Sequence, residues 1–192
     1  MEYRKMITLK DGRSCVIRNG MEQDGQTLLD IYVLTHSQTD YLLSYPDEAI
    51  MTAEQEAAFL KAKTESVDEI ELLAEVGGIV VGSAGIGRVG KKEKVRRRAE
   101  FGISVDKSYW GLGIGRALTE ACIECAREAG YQQLELDVVA DNKSAISLYK
   151  SVGFIVYGRN PKGFCSRYNG WQELVLMRLE LEGEPDGQRN DC

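Results

Sequence analysis

Residues Phe101 to Arg116 read FGISVDKSYWGLGIGR. The stretch opens with a short apolar run, Phe101, Ile103 and Val105, of strand character. It turns through Asp106-Lys107-Ser108 and meets glycines at alternate positions, Gly111, Gly113 and Gly115. A helical pattern follows at once: Ile114, Ala117, Leu118, Ala121, Cys122, Cys125 and Ala129 recur at three- and four-residue spacing, and Gly130 ends it. A strand, a glycine loop and a helix N-terminus make an anion site. Glycines let the backbone come close, and the outward N–H groups and the helix dipole favour negative charge. Arg116 adds a side-chain positive charge, so the expected guest is a phosphate or pyrophosphate.

Three readings of this loop compete. One is a glycine-rich connection with no ligand. A second is a dinucleotide fingerprint, G-x-G-x-x-G. Gly111-x-Gly113 fits its first half, and Asp137 lies near the place of a ribose-binding acid. However, Arg116 occupies the third glycine position, where close helix–strand packing needs glycine. A Walker A loop is excluded, because no Gly-Lys-Ser/Thr follows.

The third reading is a resemblance. Trp110-Gly111-Leu112-Gly113-Ile114-Gly115 resembles the acetyl-CoA pyrophosphate loop of the GNAT superfamily of N-acetyltransferases, written Gln/Arg-x-x-Gly-x-Gly/Ala. Trp110 departs from the usual first residue, which puts a polar contact made there in relatives in question. Downstream, Asn142-x-x-Ala145-x-x-Leu148-Tyr149-x-x-x-Gly153-Phe154 is similar to the family's next block, with its spacing intact. The resemblance covers roughly Ile79 to Leu181 well and the N-terminal part loosely.

Composition narrows the field further. The chain has 192 residues, enough for one domain with a full core; that domain is expected over 1–182, with a polar, flexible tail over 183–192. A net charge of −6 argues against nucleic-acid binding. No apolar run approaches the ~20 residues of a membrane span, and MEYRKMITLKDGR has no apolar signal-peptide core. The expectation is a cytoplasmic protein with no membrane partner. Five cysteines show no disulfide framework, and Cys122-x-x-Cys125 sits on an apolar helical face, as a buried structural pair would. A single histidine, His36, argues against a zinc site or a Ser-His-Asp triad, so no metal is expected.

Along the chain, Met6 to Arg18 reads as a strand or hairpin around Asp11-Gly12, and Asp24 to Ser37 as a helix. Thr52-x-x-Gln55 is a capping box opening a helix to about Ser66. Strands are expected over Ile70–Val76 and Ile79–Val89, joined by Gly77-Gly78. The basic run Lys91 to Arg98 reads as a solvated hairpin tip, and Ala99–Val105 as the strand into the glycine loop. Gln133–Val139 is a strand, Asn142–Val152 a short helix, Phe154–Tyr157 a strand and Gln172–Glu182 the last one. Gly158 to Gly170 reads as a long loop. This order gives a mixed α/β (α+β) protein whose mostly antiparallel sheet carries helices on both faces, in agreement with the GNAT fold.

The resemblance also implies chemistry: acetyl-CoA as donor and a primary amine as acceptor, either a small molecule or a protein N-terminus or lysine. It maps the acetyl-carbonyl contact to the N–H of Val105, with Ile103 and Ser104 beside the pantetheine. Loop N–H groups of Leu112, Gly113, Ile114, Gly115 and Arg116 would hold the pyrophosphate, and Asn142 and Ala145 would meet the CoA arm. Tyr149 is the expected general acid on the thiolate, and Glu100 the candidate base if strand alternation does not turn it away. Glu173 and a relayed water are the alternatives for the base. Tyr41, Tyr45, Asp47 and Glu48 are candidates for holding the amine, and Arg159, Lys162 and Arg167 hint at an acceptor carboxylate or phosphate. A homodimer is possible on family grounds. The rival from another class is a CoA-binding module without catalysis.

Overall fold

The computed structural model describes residues 1–48 and 51–181, so the tail expected over 183–192 lies outside the described residues. The elements run β1 (Arg4–Thr8), β2 (Ser14–Asn19), α1 (Gly25–Ser37), α2 (Ala53–Glu65), β3 (Ile70–Val76), β4 (Ile79–Arg88) and β5 (Arg98–Val105). They continue with α3 (Ile114–Glu128), β6 (Gln133–Val139), α4 (Lys143–Ser151), β7 (Ile155–Ser166) and β8 (Gly170–Glu180). The strands form one sheet in the order β1-β2-β3-β4-β5-β6-β8-β7. Among the described residues only β5 and β6 pair in parallel, and a parallel pair needs a crossover, which α3 supplies.

Local chemistry sets these elements. Gly77 and Gly78 both take positive φ (+60° and +84°), the two-residue turn whose twist suits a hairpin, and β3 and β4 flank it. The Thr52–Gln55 capping box forms as read: Thr52 Oγ1 accepts the Gln55 N–H and Gln55 Oε1 accepts the Thr52 N–H. Leu72 and Leu73 are neighbours in β3 and both are fully buried. Successive strand residues point to opposite faces, so both faces must be covered. Leu73 packs with Leu28, Ile31 and Leu60 of α1 and α2. Leu72 belongs to the main core with Leu118 and Cys122 of α3, Phe101 of β5 and Tyr149 of α4. Cys122 and Cys125 are both buried there as free thiols.

One expected element is wrong. Gly158 to Gly170 is not a long loop: β7 continues to Ser166 and only Arg167–Asn169 turns. The strand survives Pro161 because it lies at the sheet edge, with register shifts at Val156/Gly158 and Asn160/Phe164. Its glycines permit close approach, since a Cβ at Gly163 would fall 2.3 Å from Leu174 Cγ. Glycines and a proline that suggest a loop in sequence are here the marks of an irregular edge strand.

The feature that positions the site is a gap in the sheet. β5 and β6 pair only over Arg98–Glu100 and Gln133–Glu135. Phe101–Val105 and Leu136–Val139 then run on without pairing to each other, each still held on its outer side by β4 or β8.

Candidate active site

A cleft of about 930 Å³ fills this gap and passes from one face of the sheet to the other. At one end it is lined by Gly111, Gly113, Gly115 and Arg116, and at the other by Glu100, Glu135, Asp137, Tyr41, Tyr157 and Phe164.

The loop end is set by backbone rather than by space. Gly111 and Gly113 have φ of +79° and +105°, yet a Cβ on either would meet nothing within 4 Å. Gly115 has no such φ, and a Cβ there would make ordinary contact with Leu148 Cδ2 at 3.6 Å. Gly113 is the N-cap of α3 and has no side chain to satisfy the first turn, so those N–H groups are left for a ligand. The Leu112 carbonyl accepts the Lys10 N–H at 3.1 Å, tying the loop to the β1–β2 turn. Arg116 donates to Ser151 Oγ (2.6 Å) and to Glu120 (3.3 Å), which holds its charge beside the loop.

The splayed part of β5 offers backbone donors. The Asp106 N–H bonds to Val81 of β4. Backbone groups alternate sides along a strand, so Ser104 and Gly102 face β4, while the N–H groups of Val105 and Ile103 point into the gap. The Trp110 indole N–H donates to the Val105 carbonyl at 2.7 Å. Trp110 thus has a polar contact of its own within the loop, and the Val105 N–H stays open. Ile103, Ser104 and Val105 all line the cleft.

The wall opposite comes from α4. Asn142 is the N-cap, its Oδ1 accepting the Ala145 N–H at 3.1 Å, and both residues line the cleft. Tyr149 is 7% exposed and stands edge-on to Phe101, with ring centroids 6.1 Å apart. Its hydroxyl has no hydrogen-bond partner among the described residues. Burial raises its pKa to about 12, which keeps the phenol protonated through the physiological range.

Glu100 sits on the other face. The β4–β5 pairing runs from Gly82↔Val105 to Arg88↔Ala99 without a slip, so β5 has no bulge against β4 and alternation holds. Glu100 therefore faces away from buried Phe101, exposed, toward the segment after α1. Its register neighbour in β6 is Glu135, a buried carboxylate gripped by the Arg98 guanidinium through Nε and, at 2.8 Å, Nη2. Asp137 shares that face, and burial followed by the nearby Glu135 charge raises its pKa. Neither Glu100 nor Asp137 has an ion-pair partner among the described residues. Glu173, the alternative base, is paired with Arg159 at 3.2 Å and does not line the cleft.

Several acceptor candidates prove to be tied up elsewhere. Tyr41 lines the cleft, but Tyr45, Asp47 and Glu48 do not. Arg167 at the β7–β8 turn donates to both Asp47 oxygens (2.7 and 2.8 Å) and lies 4.1 Å over the Tyr45 ring. Asp40 accepts from Ser166 Oγ (2.6 Å), Asn169 Nδ2 (2.7 Å) and Gln172 Nε2 (3.2 Å). This latch joins Asp40–Glu48 to the β7–β8 hairpin across the cleft mouth. Lys162 lies over the Trp171 ring, so none of Arg159, Lys162 and Arg167 faces the cleft. From α1 the cleft takes Thr35; α2 contributes nothing to it. Sequence reading missed Glu135, Tyr157 and Phe164. The alternation of Leu134, Leu136 and Val138 does place Glu135 and Asp137 on one face, but that β6 stands beside β5 is a matter of topology.

Comparison with known proteins agrees with this geometry. The chain is 26% identical over 172 residues to the L-amino acid N-acyltransferase MnaT of Escherichia coli, covering 88% of this chain and 97% of the relative. It is 41% identical over 105 residues to the N-alpha-acetyltransferase RimI of Mycobacterium tuberculosis, covering 55% of this chain and 63% of that protein. An acetyltransferase of the GNAT family from Streptococcus pneumoniae superposes with a TM-score of 0.82 at 27% identity, over 88% of this chain and 99% of its own. The profile of the Acetyltransferase (GNAT) family matches residues 30–154, and the chain belongs to that family.

Proposed function

We propose that the chain transfers the acetyl group of acetyl-CoA to a primary amine by direct attack. The observation that carries this reading is the gap between β5 and β6. It makes one continuous cleft with an anion-binding loop at one end and an unpaired carboxylate, Glu100, at the other. Two relatives support it by name, one for acyl transfer to L-amino acids and one for N-alpha-acetylation; both acceptors are amines.

Each residue then has a task. Loop N–H groups from Leu112 to Arg116, with the Arg116 side chain, hold the pyrophosphate. Ile103 and Ser104 on one side and Asn142 and Ala145 on the other flank the pantetheine arm. The Val105 N–H donates to the thioester carbonyl oxygen as negative charge develops there. The amine nitrogen attacks the carbonyl carbon; a C–N bond forms and the C–S bond breaks. Glu100 takes the proton that the nitrogen sheds, and the Tyr149 hydroxyl gives its proton to the departing sulfur. Burial makes Tyr149 a weaker acid than a free phenol, so this last transfer depends on the thiolate being desolvated in the same cleft.

Thermal melts with acetyl-CoA, followed by thiol release with an amine panel, test the proposal. A ligand of the native state at a hundredfold excess over its Kd stabilises by ~2.7 kcal/mol. Tyr149→Phe should leave that stabilisation intact and lower kcat about a hundredfold, the scale of general acid catalysis. Absence of any acetyl-CoA shift would remove the donor assignment; a shift without thiol release from any amine would leave a CoA-binding module.

A further inference from the structure

The acceptor end of the cleft is lined by carboxylates, and no cationic side chain lines it among the described residues. The two cations that do line the cleft, Lys10 and Arg116, belong to the glycine-loop end. The other cations near the acceptor end, Arg178 among them as the register neighbour of Glu135, do not line the cleft and are engaged with other groups. Arg98 grips Glu135, Arg178 lies over Tyr157 and 2.9 Å from Glu180, and Arg167 closes the latch on Asp47. A carboxylate on the acceptor would meet no uncommitted cation lining this end and two like charges, Glu100 and Asp137, facing it. Like charges brought that close repel, which disfavours such an acceptor.

A cation meets the opposite situation. Glu100 and Asp137 point to one face, on adjacent strands, separated by one register step and two residues along β6. With strands ~4.8 Å apart and a rise of ~3.3 Å per residue, their Cα atoms stand about 8 Å apart before the strands splay. That spacing separates two positive charges by a short carbon chain. Tyr157 and Tyr41 supply aromatic surface beside the two acids, which suits both an aliphatic chain and an ammonium. An independent observation marks the same cleft as built for a ligand: the Tyr149 hydroxyl, on a side chain more than nine-tenths buried, reaches the cleft without a protein partner.

We infer that the acceptor is a small aliphatic diamine without a carboxylate, its reacting nitrogen at Glu100 and its second ammonium at Asp137. The inference rests on the acetyl-transfer reading above and departs from the amino-acid acceptors for which the Escherichia coli relative is named.

Four probes separate the terms: tetramethylenediamine, n-butylamine, gamma-aminobutyrate and L-leucine. The first three share a four-carbon length and differ only in what stands at the far end. Thiol release from acetyl-CoA is measured with each, on the full chain and on Asp137→Asn. The expected result is a kcat/KM for the diamine about tenfold above that for n-butylamine, the scale of one charged hydrogen bond, and lowest values for the two carboxylates. In Asp137→Asn the ratio of diamine to n-butylamine should fall toward one. Equal use of diamine and n-butylamine, or gamma-aminobutyrate or L-leucine used as well as the diamine, overturns the inference. No turnover of any probe while acetyl-CoA still raises Tm also overturns it and leaves the donor site standing. Loss of the acetyl-CoA shift itself would mean instead that the underlying reading has failed.

Discussion

The Trp110 indole N–H donates to the carbonyl oxygen of Val105 at 2.7 Å, closing a loop of five residues around the point where β5 enters the cleft. Its effect falls on the other half of the Val105 backbone. A carbonyl held from outside the sheet fixes the adjoining peptide planes, and with them the direction of the Val105 N–H. Trp110→Phe keeps the ring and removes the donor. We expect kcat to fall by up to about tenfold with KM for acetyl-CoA little changed, the worth of one hydrogen bond. Steady-state kinetics would show it. Because Trp110 is 46% exposed, Tm should hardly move, and a large drop in Tm would assign it to folding instead.

Glu100 and Glu135 stand side by side across β5 and β6 and should respond oppositely to the same change. Glu100→Gln removes an exposed, unpaired carboxylate: turnover at neutral pH falls about a hundredfold and Tm stays within a degree or two. Glu135→Gln takes the charge from beneath Arg98, and loss of a charge-assisted pair of this kind costs on the order of 1–3 kcal/mol. Paired melting and turnover measurements on the two variants decide whether the neighbours divide chemistry and structure in this way.

The three loop glycines are not equivalent. Gly111→Ala and Gly113→Ala force an alanine into positive φ, costing roughly 1–2 kcal/mol each and turning loop N–H groups away from their ligand. Gly115→Ala meets only ordinary contact and should bind acetyl-CoA as the parent does. Calorimetric titration of the three variants checks the order; weakened binding in Gly115→Ala alone would reverse the account.

Glu71 gives the fold a pH dependence. Its carboxyl packs over Gly85, where a Cβ would lie 2.0 Å from Oε2, and burial pushes its pKa to about 7, against the opposing effects of Ser83 and Lys63. A carboxyl raised on folding contributes stability in full below its unfolded value and loses it as pH climbs through the folded one. Stability should therefore decline between about pH 4.5 and 7, by on the order of 3 kcal/mol, and Glu71→Gln should flatten the decline. Chemical denaturation at a series of pH values measures both curves.

Much of this was legible in the sequence because it is local. The glycine loop, the apolar face of α3, the Thr52 capping box and the Gly77-Gly78 turn each follow from residues within a few positions of one another. What was hidden depends on distant pairing. Arg159, Lys162 and Arg167 read as free charges until β8 brings Glu173 and Trp171, and the segment after α1 brings Asp47. Tyr45 and Glu48 read as acceptor ligands for the same reason. Glu100 was placed on the face away from Phe101 by alternation alone, but that this face opens into a cleft depends on β6 leaving β5 at Glu135. Phe164 lay inside what read as a loop, since an edge strand tolerates the proline and glycines that a central one refuses.

The latch has a consequence for engineering. Arg167 and Asp47 lie 120 positions apart in the chain yet form one rim. The two halves hold each other: a grafted Thr39–Glu48 segment without the Asp40 and Asp47 carboxylates leaves the side chains of Ser166 and Asn169 without their acceptor and Arg167 with Glu48 alone, at 3.6 Å. The rim is thus a two-part unit, and chimeras that move a single part should melt earlier than the parent chain.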